Sequence, residues 1–187
     1  MFRLVTACWL ALLFSPLFPA WASPGEEAKY GIGPGDTLEI SVWKDESLTR
    51  QLIVPPDGMI SFPLIGTVRA SGHTVPALQE ALRVKLTEYI PDATVTVMLL
   101  EANSLHAYVI GKVNNPGMFP ITLKTTVLQV LAMAGGLNAF ASEEDILILR
   151  TRDGDTDKIP FDYEAVRNGE HLEQNIRLER GDVVVVP

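Results

Sequence analysis

From Thr37 to Trp43 the chain alternates, with Leu38, Ile40 and Val42 facing one way and Thr37, Glu39, Ser41 and Trp43 the other. A period of two predicts a half-buried strand. Gln51–Val54 and Met59–Phe62 are short apolar runs on either side of Pro55-Pro56-Asp57-Gly58. Asp-Gly supplies the positive φ angles that a tight hairpin turn needs, so these runs are expected to face each other across it. Pro63 to Val68 follows, with Gly66 inside it, and Gly72 breaks the next connection. The period then lengthens. Val75, Leu78, Leu82, Leu86 and Tyr89 recur at helical spacing, with Gln79, Glu80, Arg83, Lys85 and Glu88 between them. Thr74 is a good N-cap, Pro76 suits the first turn, and Pro91 stops the helix. Thr94 to Leu100 reads as a further strand.

A second unit begins near His106. Ala107–Val113 reads as a strand, Asn114-Asn115-Pro116-Gly117 as a turn and Met118–Leu123 as the returning strand. Thr126 caps a helix carrying Val127, Leu128, Val130, Leu131 and Ala134, and Gly135-Gly136 ends it as a left-handed C-cap. Ile146–Arg150 is a strand, Asp153-Gly154-Asp155 a turn, Lys158–Asp162 an extended piece, and Val183–Val186 closes the chain. Each half is therefore expected to hold short strands, one helix and more strands. The fold class is α+β, with units at 23–104 and 105–187. A short echo links them: Gly35-Asp36 opens Thr37–Val42, and Gly181-Asp182 opens Val183–Val186.

The first 22 residues follow a different logic. Met1-Phe2-Arg3 is positively charged, Leu4 to Phe18 is almost wholly apolar, and Ala20-Trp21-Ala22 places small residues at the −3 and −1 positions. This is the pattern of a secretory signal peptide cleaved before Ser23. The alternative is an uncleaved anchor, against which stand Pro16, Pro19 and a run shorter than the roughly 20 residues needed to span a bilayer. Cys8 is the single cysteine. It precedes the apolar run, the wrong order for a lipoprotein box, and cleavage at Ala22 removes it, and with it disulfides, thiolate metal sites and a cysteine nucleophile.

Of the 187 residues, 47% are hydrophobic and 20% charged, so a packed core is expected. The net charge is −8 and no run of Lys or Arg interrupts it, which argues against nucleic-acid binding. The glycines of Gly31-Ile32-Gly33-Pro34-Gly35 precede a strand and no helix follows. Phosphate-binding glycine turns instead lie between a strand and a helix N-terminus, and Pro34 lacks a backbone donor. The glycines are therefore read as an entry turn, with Asp36 tying back its own backbone. His73, His106 and His171 are scattered, without metal-ligand spacing. No Gly-x-Ser-x-Gly elbow occurs. The acidic pairs Glu143-Glu144 and Asp153/Asp155 sit in loops, and nothing selects two carboxylates for glycoside hydrolysis. Trp43 could stack on a sugar ring or pack at a sheet or subunit boundary. No metal or cofactor is expected.

Three stretches together carry a family likeness. The first is Tyr30-x-Ile32-Gly33-Pro34-Gly35-Asp36-x-Leu38-x-Ile40-x-Val42-Trp43. The second is Val54…Asp57-Gly58-x-Ile60-x-x-Pro63-Leu64-Ile65-Gly66-x-Val68, then Gly72-x-Thr74. Together they resemble the polysaccharide biosynthesis/export domain. The third is Tyr108-Val109-x-Gly111-x-Val113-x-x-Pro116-Gly117, then Thr126-Val127-Leu128…Ala134-Gly135-Gly136-Leu137, ending Gly181-Asp182-x-Val184-x-Val186-Pro187. It resembles a soluble-ligand-binding β-grasp (SLBB) domain. The resemblance implies a non-enzymatic periplasmic component of exopolysaccharide or capsule export. Members form homo-oligomeric rings around polysaccharide cargo and work with an inner-membrane chain-length-regulating copolymerase. Many members also carry a lipidated cysteine and a C-terminal helix that crosses the outer membrane. This sequence shows neither after leader removal, so the expectation is a short periplasmic member that passes glycan to a separate outer-membrane β-barrel. A monomeric glycan-binding module is the alternative.

Overall fold

A computed structural model describes residues 29–152 and 154–187. The expected signal peptide with Cys8, most of the polar stretch after it, and Asp153 of the Asp153-Gly154-Asp155 turn lie outside the described residues.

The first unit runs β1 (Thr37–Val42), β2 (Asp45–Ile53), β3 (Met59–Phe62), β4 (Gly66–Arg69), α1 (Val75–Leu86) and β5 (Val95–Glu101). The sheet order is β2-β1-β5, antiparallel throughout, and β3 and β4 form a separate hairpin. The alternation in β1 is as expected: Leu38 and Ile40 are fully buried and Val42 nearly so. In α1 the Thr74 hydroxyl accepts the Ala77 N–H at 3.3 Å, and Leu78, Leu82 and Leu86 all enter the core with Ile60 and Phe62. The helix ends at Leu86, earlier than expected. The Thr87 hydroxyl donates to the Arg83 carbonyl at 2.7 Å, and Tyr89 lies beyond the end, exposed.

The pairing expected across Pro55–Gly58 does not occur. Gln51 faces Glu39 of β1, whereas Met59 faces Arg69 and Phe62 faces Gly66. Pro55 and Pro56 have no N–H to give to a ladder, and the Asp57 carboxylate accepts the Met59 N–H at 3.0 Å, turning the chain into a new hairpin. The demand on glycine survives. Gly58 has φ 75°, its carbonyl accepts Ala70 N–H and Ser71 N–H at 2.9 and 3.1 Å, and a Cβ there would collide with Ser71. β2 also begins earlier than the apolar run. Its polar start, Asp45 to Arg50, is held by pairing with β1, and Leu48 is the buried side chain there.

The second unit runs β6 (His106–Gly111), β7 (Gly117–Pro120), α2 (Val127–Met133), β8 (Ile146–Arg152), β9 (Asp155–Phe161), α3 (Tyr163–Arg167), a 3-10 turn (Leu172–Gln174) and β10 (Val183–Val186). The sheet order is β7-β6-β10-β8-β9. Only the β10–β6 pair is parallel, so the last strand of the chain enters the middle of the sheet. The inner face buries Ala107, Val109, Ile146, Ile148, Val184 and Val186 against Val127, Val130 and Leu131 of α2. The Gln129 side chain accepts the Thr126 N–H at 2.9 Å at the helix start. At its end the β6–β7 turn supplies donors. Asn114 Nδ2 donates to the Gly135 carbonyl at 2.7 Å, and Asn115 N–H donates to the Ala134 carbonyl at 2.8 Å. The turn and the helix C-terminus thereby satisfy each other's backbone groups.

Two separate apolar clusters result, one drawn from Ile32 to Val97 and the other from Leu105 to Val186. Tyr30, which precedes β1, packs against the second cluster.

Candidate functional site

The described residues include no group of three or more His, Cys, Asp or Glu able to hold a metal, and no helix among them is long and apolar enough to cross a membrane. The polar chemistry of the molecule gathers instead at the two Gly-Asp turns and at the seam between the units.

In the first turn Gly35 takes φ 93°, and the Asp36 carboxylate, fully buried, folds back on its own loop. Its Oδ2 accepts the Gly33 N–H at 2.8 Å and the Tyr30 hydroxyl at 2.5 Å. Its Oδ1 accepts the N–H of Ser104, the last residue before the second unit, at 2.8 Å. The Ser104 hydroxyl lies 3.0 Å from that of Tyr30. One carboxylate thus joins the entry turn of the first unit, the residue that leads into the second unit and the tyrosine that packs on the second core. Burial, reinforced by the hydrogen bond to Asp36, pushes the Tyr30 phenol above its ordinary range.

The second turn repeats the geometry. Gly181 takes φ 83°, Asp182 is buried, and its Oδ2 accepts the Glu179 N–H at 2.8 Å. Here the third partner is a cation. Arg150 of β8 donates through Nε at 3.0 Å to Oδ1 and through Nη2 at 2.6 Å to Oδ2 of Asp182. Its Nη1 reaches Glu179 at 2.8 Å and its Nη2 the Arg177 carbonyl at 3.0 Å. The hydrogen bonds from Arg150 to Asp182 lift the pKa of the guanidinium still further.

Arg180, between Glu179 and Gly181, crosses the seam. Its Nη2 donates to the Gly31 carbonyl at 2.5 Å and its guanidinium lies 5.8 Å from the centre of the Tyr30 ring. Gly33 is where these contacts converge, since a Cβ there would strike both the Arg180 guanidinium and Ser104 Oγ. Beside them opens a cavity of about 400 Å³, with Tyr30, Leu105, Leu123 and Leu178 as its apolar wall and Arg177 and Arg180 at the rim.

The structure therefore brings Gly33, Gly35 and Asp36 to one place and Gly181 and Asp182 beside it, joined through Arg180. The other singled-out residues are dispersed. Asp57, Gly58, Pro63, Gly66 and Gly72 shape the β3–β4 hairpin and the connection to α1. Pro116 and Gly117 lie at the β6–β7 turn, and Gly135 and Gly136 follow α2. Gly111 ends β6 at φ 95°, where a Cβ would run into the Val186 carbonyl. Trp43 stands at the β1–β2 turn, 73% exposed, so it does not pack into the core of the described residues. It borders a groove of about 390 Å³ shared with Ser41, Lys44, Asp45, Glu46 and Thr96. Tyr30, Ser104, Arg150 and Arg180 were not singled out among the expected site residues. Arg150 sits at the end of the apolar run Ile146–Leu149, and its inward direction by alternation is the one sequence signal that pointed to it.

Residues 24–100 match the family model for polysaccharide biosynthesis/export proteins, and residues 107–161 match that for the SLBB domain. The chain is 30% identical over 131 residues to the polysialic acid transport protein KpsD of Escherichia coli, covering 69% of this chain and 24% of that protein. It is 28% identical over 181 residues to the EPS I polysaccharide export outer membrane protein EpsA of Ralstonia nicotianae, covering 84% and 47%. It is 25% identical over 171 residues to the capsule polysaccharide export outer membrane protein CtrA of Neisseria meningitidis, covering 81% and 43%. The chain thus spans from about a quarter to about half the length of these relatives. Two consecutive domain matches, laid on two cores joined through Asp36, make the chain a member of the polysaccharide biosynthesis/export family with an SLBB domain.

Proposed function

We propose that the protein is a non-enzymatic periplasmic component of an exopolysaccharide or capsule export apparatus, acting as a ring-forming conduit or adaptor. In this reading residues 23–104 and 105–187 are its two domains, and the leader is removed at Ala22 on export. It receives glycan from a route governed by an inner-membrane chain-length-regulating copolymerase and passes it to an outer-membrane β-barrel. The observation that carries the reading is the ordered pair of export and SLBB matches on one chain whose units are tied together. A conduit works through placement of surfaces, and a seam that holds two cores in a set relation serves that end. Weak contact suits moving cargo, because millimolar affinity at each site corresponds to only about −4 kcal/mol.

Deletion of the gene tests this: secreted polymer should fall, and return with the wild-type gene. Normal secretion in a strain with no second copy would overturn the reading. The periplasmic form should begin at Ser23 by mass. The exposed Trp43 and its groove favour a second reading, a monomeric glycan-binding module. Quenching or enhancement of Trp43 fluorescence by the cognate polymer, with a strictly monomeric mass, would select it over the ring.

A further inference from the structure

The five-stranded sheet is apolar on both faces. α2 covers the inner one. On the outer one, the register aligns Met118, Tyr108, Val183 and Leu149 in one row across four strands. Ile110, Val185 and Leu147 form the next. None of the described residues covers them: Met118 is 60% exposed, Ile110 45% and Tyr108 38%. The outer face of the three-stranded sheet differs. There Glu39 accepts from Gln51 at 3.0 Å and Glu101 from Thr37 at 3.2 Å, the mixed surface of a solvated sheet.

We infer that the outer face of the β7-β6-β10-β8-β9 sheet is buried by a second copy of this chain. This rests on the ring reading and deepens it by naming the surface through which copies meet. Two observations select the occupant. The first is charge. The protein carries −8 overall, so copies repel one another generally. The outward positions of these five strands include no carboxylate, and Lys158 of β9 is their one lysine or arginine. This is the surface on which two such chains approach with least repulsion. The second is area. Five strands about 4.8 Å apart, two residue rows deep, present on the order of 350 Å². That is the size of the largest apolar patch on a typical monomer, about 300–600 Å² and often functional, and near half of the roughly 800 Å² that each partner contributes to a standard interface. The face is the apolar centre of an interface whose polar rim comes from neighbouring surface.

Ile110→Glu and Val185→Glu, placed singly in the full-length exported chain, test the inference by sedimentation at about 50 µM, with Thr96→Glu on the other sheet as control. The expected result is an oligomer for wild type and Thr96→Glu, and a shift of at least 100-fold in the concentration needed for assembly for the two face variants. A wild-type oligomer that all three variants retain would overturn this assignment and leave the ring reading standing. A monomeric wild type would overturn both. Should the face variants misfold, Tyr108→Cys in a Cys8→Ser background gives a second readout. Thiol alkylation that slows at least tenfold between dilute and concentrated protein supports the inference, and a rate independent of concentration sinks it.

Discussion

The two Gly-Asp turns share a backbone and differ in what they hold. In each, the aspartate N–H donates to the carbonyl three residues before it at 3.2 Å, and the carboxylate accepts the N–H of that same residue at 2.8 Å. In each, the glycine N–H and the aspartate carbonyl pair with a neighbouring segment: Val54 in the first turn, His106 and Tyr108 in the second. The remaining carboxylate valences diverge. Asp182 faces a guanidinium within its own sheet, and the ion pair locks β10 against β8. Asp36 faces a hydroxyl and a backbone amide, both neutral donors, and the amide is that of Ser104, which leads into the other unit. A local motif thus becomes a lock or a joint according to its third partner.

The largest expected effect comes from the lock. Asp182→Asn removes the anion that accepts three of the five hydrogen bonds of the buried Arg150 side chain, and breaking a buried ion pair from one side costs about 3–5 kcal/mol. Amide hydrogen exchange in urea follows each unit separately. The core strands of the second unit should lose protection at lower urea while β1 and α1 keep theirs. Coincident loss of protection in both units would mean that the difference between the turns is not as drawn. Asp36→Asn comes next, at about 2 kcal/mol, since an amide nitrogen would face an N–H donor and leave a buried group unsatisfied. Because Asp36 holds both Tyr30, which packs on the second core, and the residue leading into the second unit, its two transitions should shift together.

Tyr30→Phe removes one hydrogen bond to the joint and should cost about 1 kcal/mol. It carries a pH signature as well. Burial, then the hydrogen bond to Asp36, raises the phenol pKa in the folded chain. The neutral phenol is therefore the form that folding favours. Its contribution is fully present below the unfolded tyrosine value of about 10 and is lost as pH climbs through the raised folded value. Wild type should lose stability in that alkaline window faster than Tyr30→Phe. Identical alkaline slopes would remove Tyr30 from the joint.

What could be seen in the sequence divides along the same line. The alternation of β1, the leucine spacing of α1 and the glycines at both turns depend on residues near one another in the chain, and they are where expected. The positive φ of Gly58 was legible too, because the turn needs it locally. Its strand partners were not: two adjacent prolines forbid the obvious ladder, yet only the completed fold shows β2 turning back to β1. The polar start of β2 has no period to read, since backbone pairing holds it more than burial does. Asp36 could be read as tying back its own loop. That Ser104, 68 residues on, takes its other oxygen could not. Arg150 and Arg180 work through partners 32 and 149 residues distant, beyond the reach of any local pattern.

Arg180 offers the finest test, because it reaches from one turn to the neighbourhood of the other while staying exposed. It extends from the second Gly-Asp turn, donates to Gly31 and lies against Tyr30. Exposed cation–π contacts are worth about 0.5–1 kcal/mol, so Arg180→Ala should leave global stability nearly unchanged. Its effect should appear in coupling. If Arg180 carries strain from one turn to the other, the cost of Asp36→Asn will differ between wild-type and Arg180→Ala backgrounds by about 0.5 kcal/mol or more, the size expected of residues sharing partners. The same cycle with Asp182→Asn should show the coupling through the adjacent backbone of Glu179. Strict additivity in both cycles would make the two turns independent, each serving its own unit, with Asp36 as the sole tie between them. Non-additivity in the first cycle alone would place Arg180 within the joint and outside the lock.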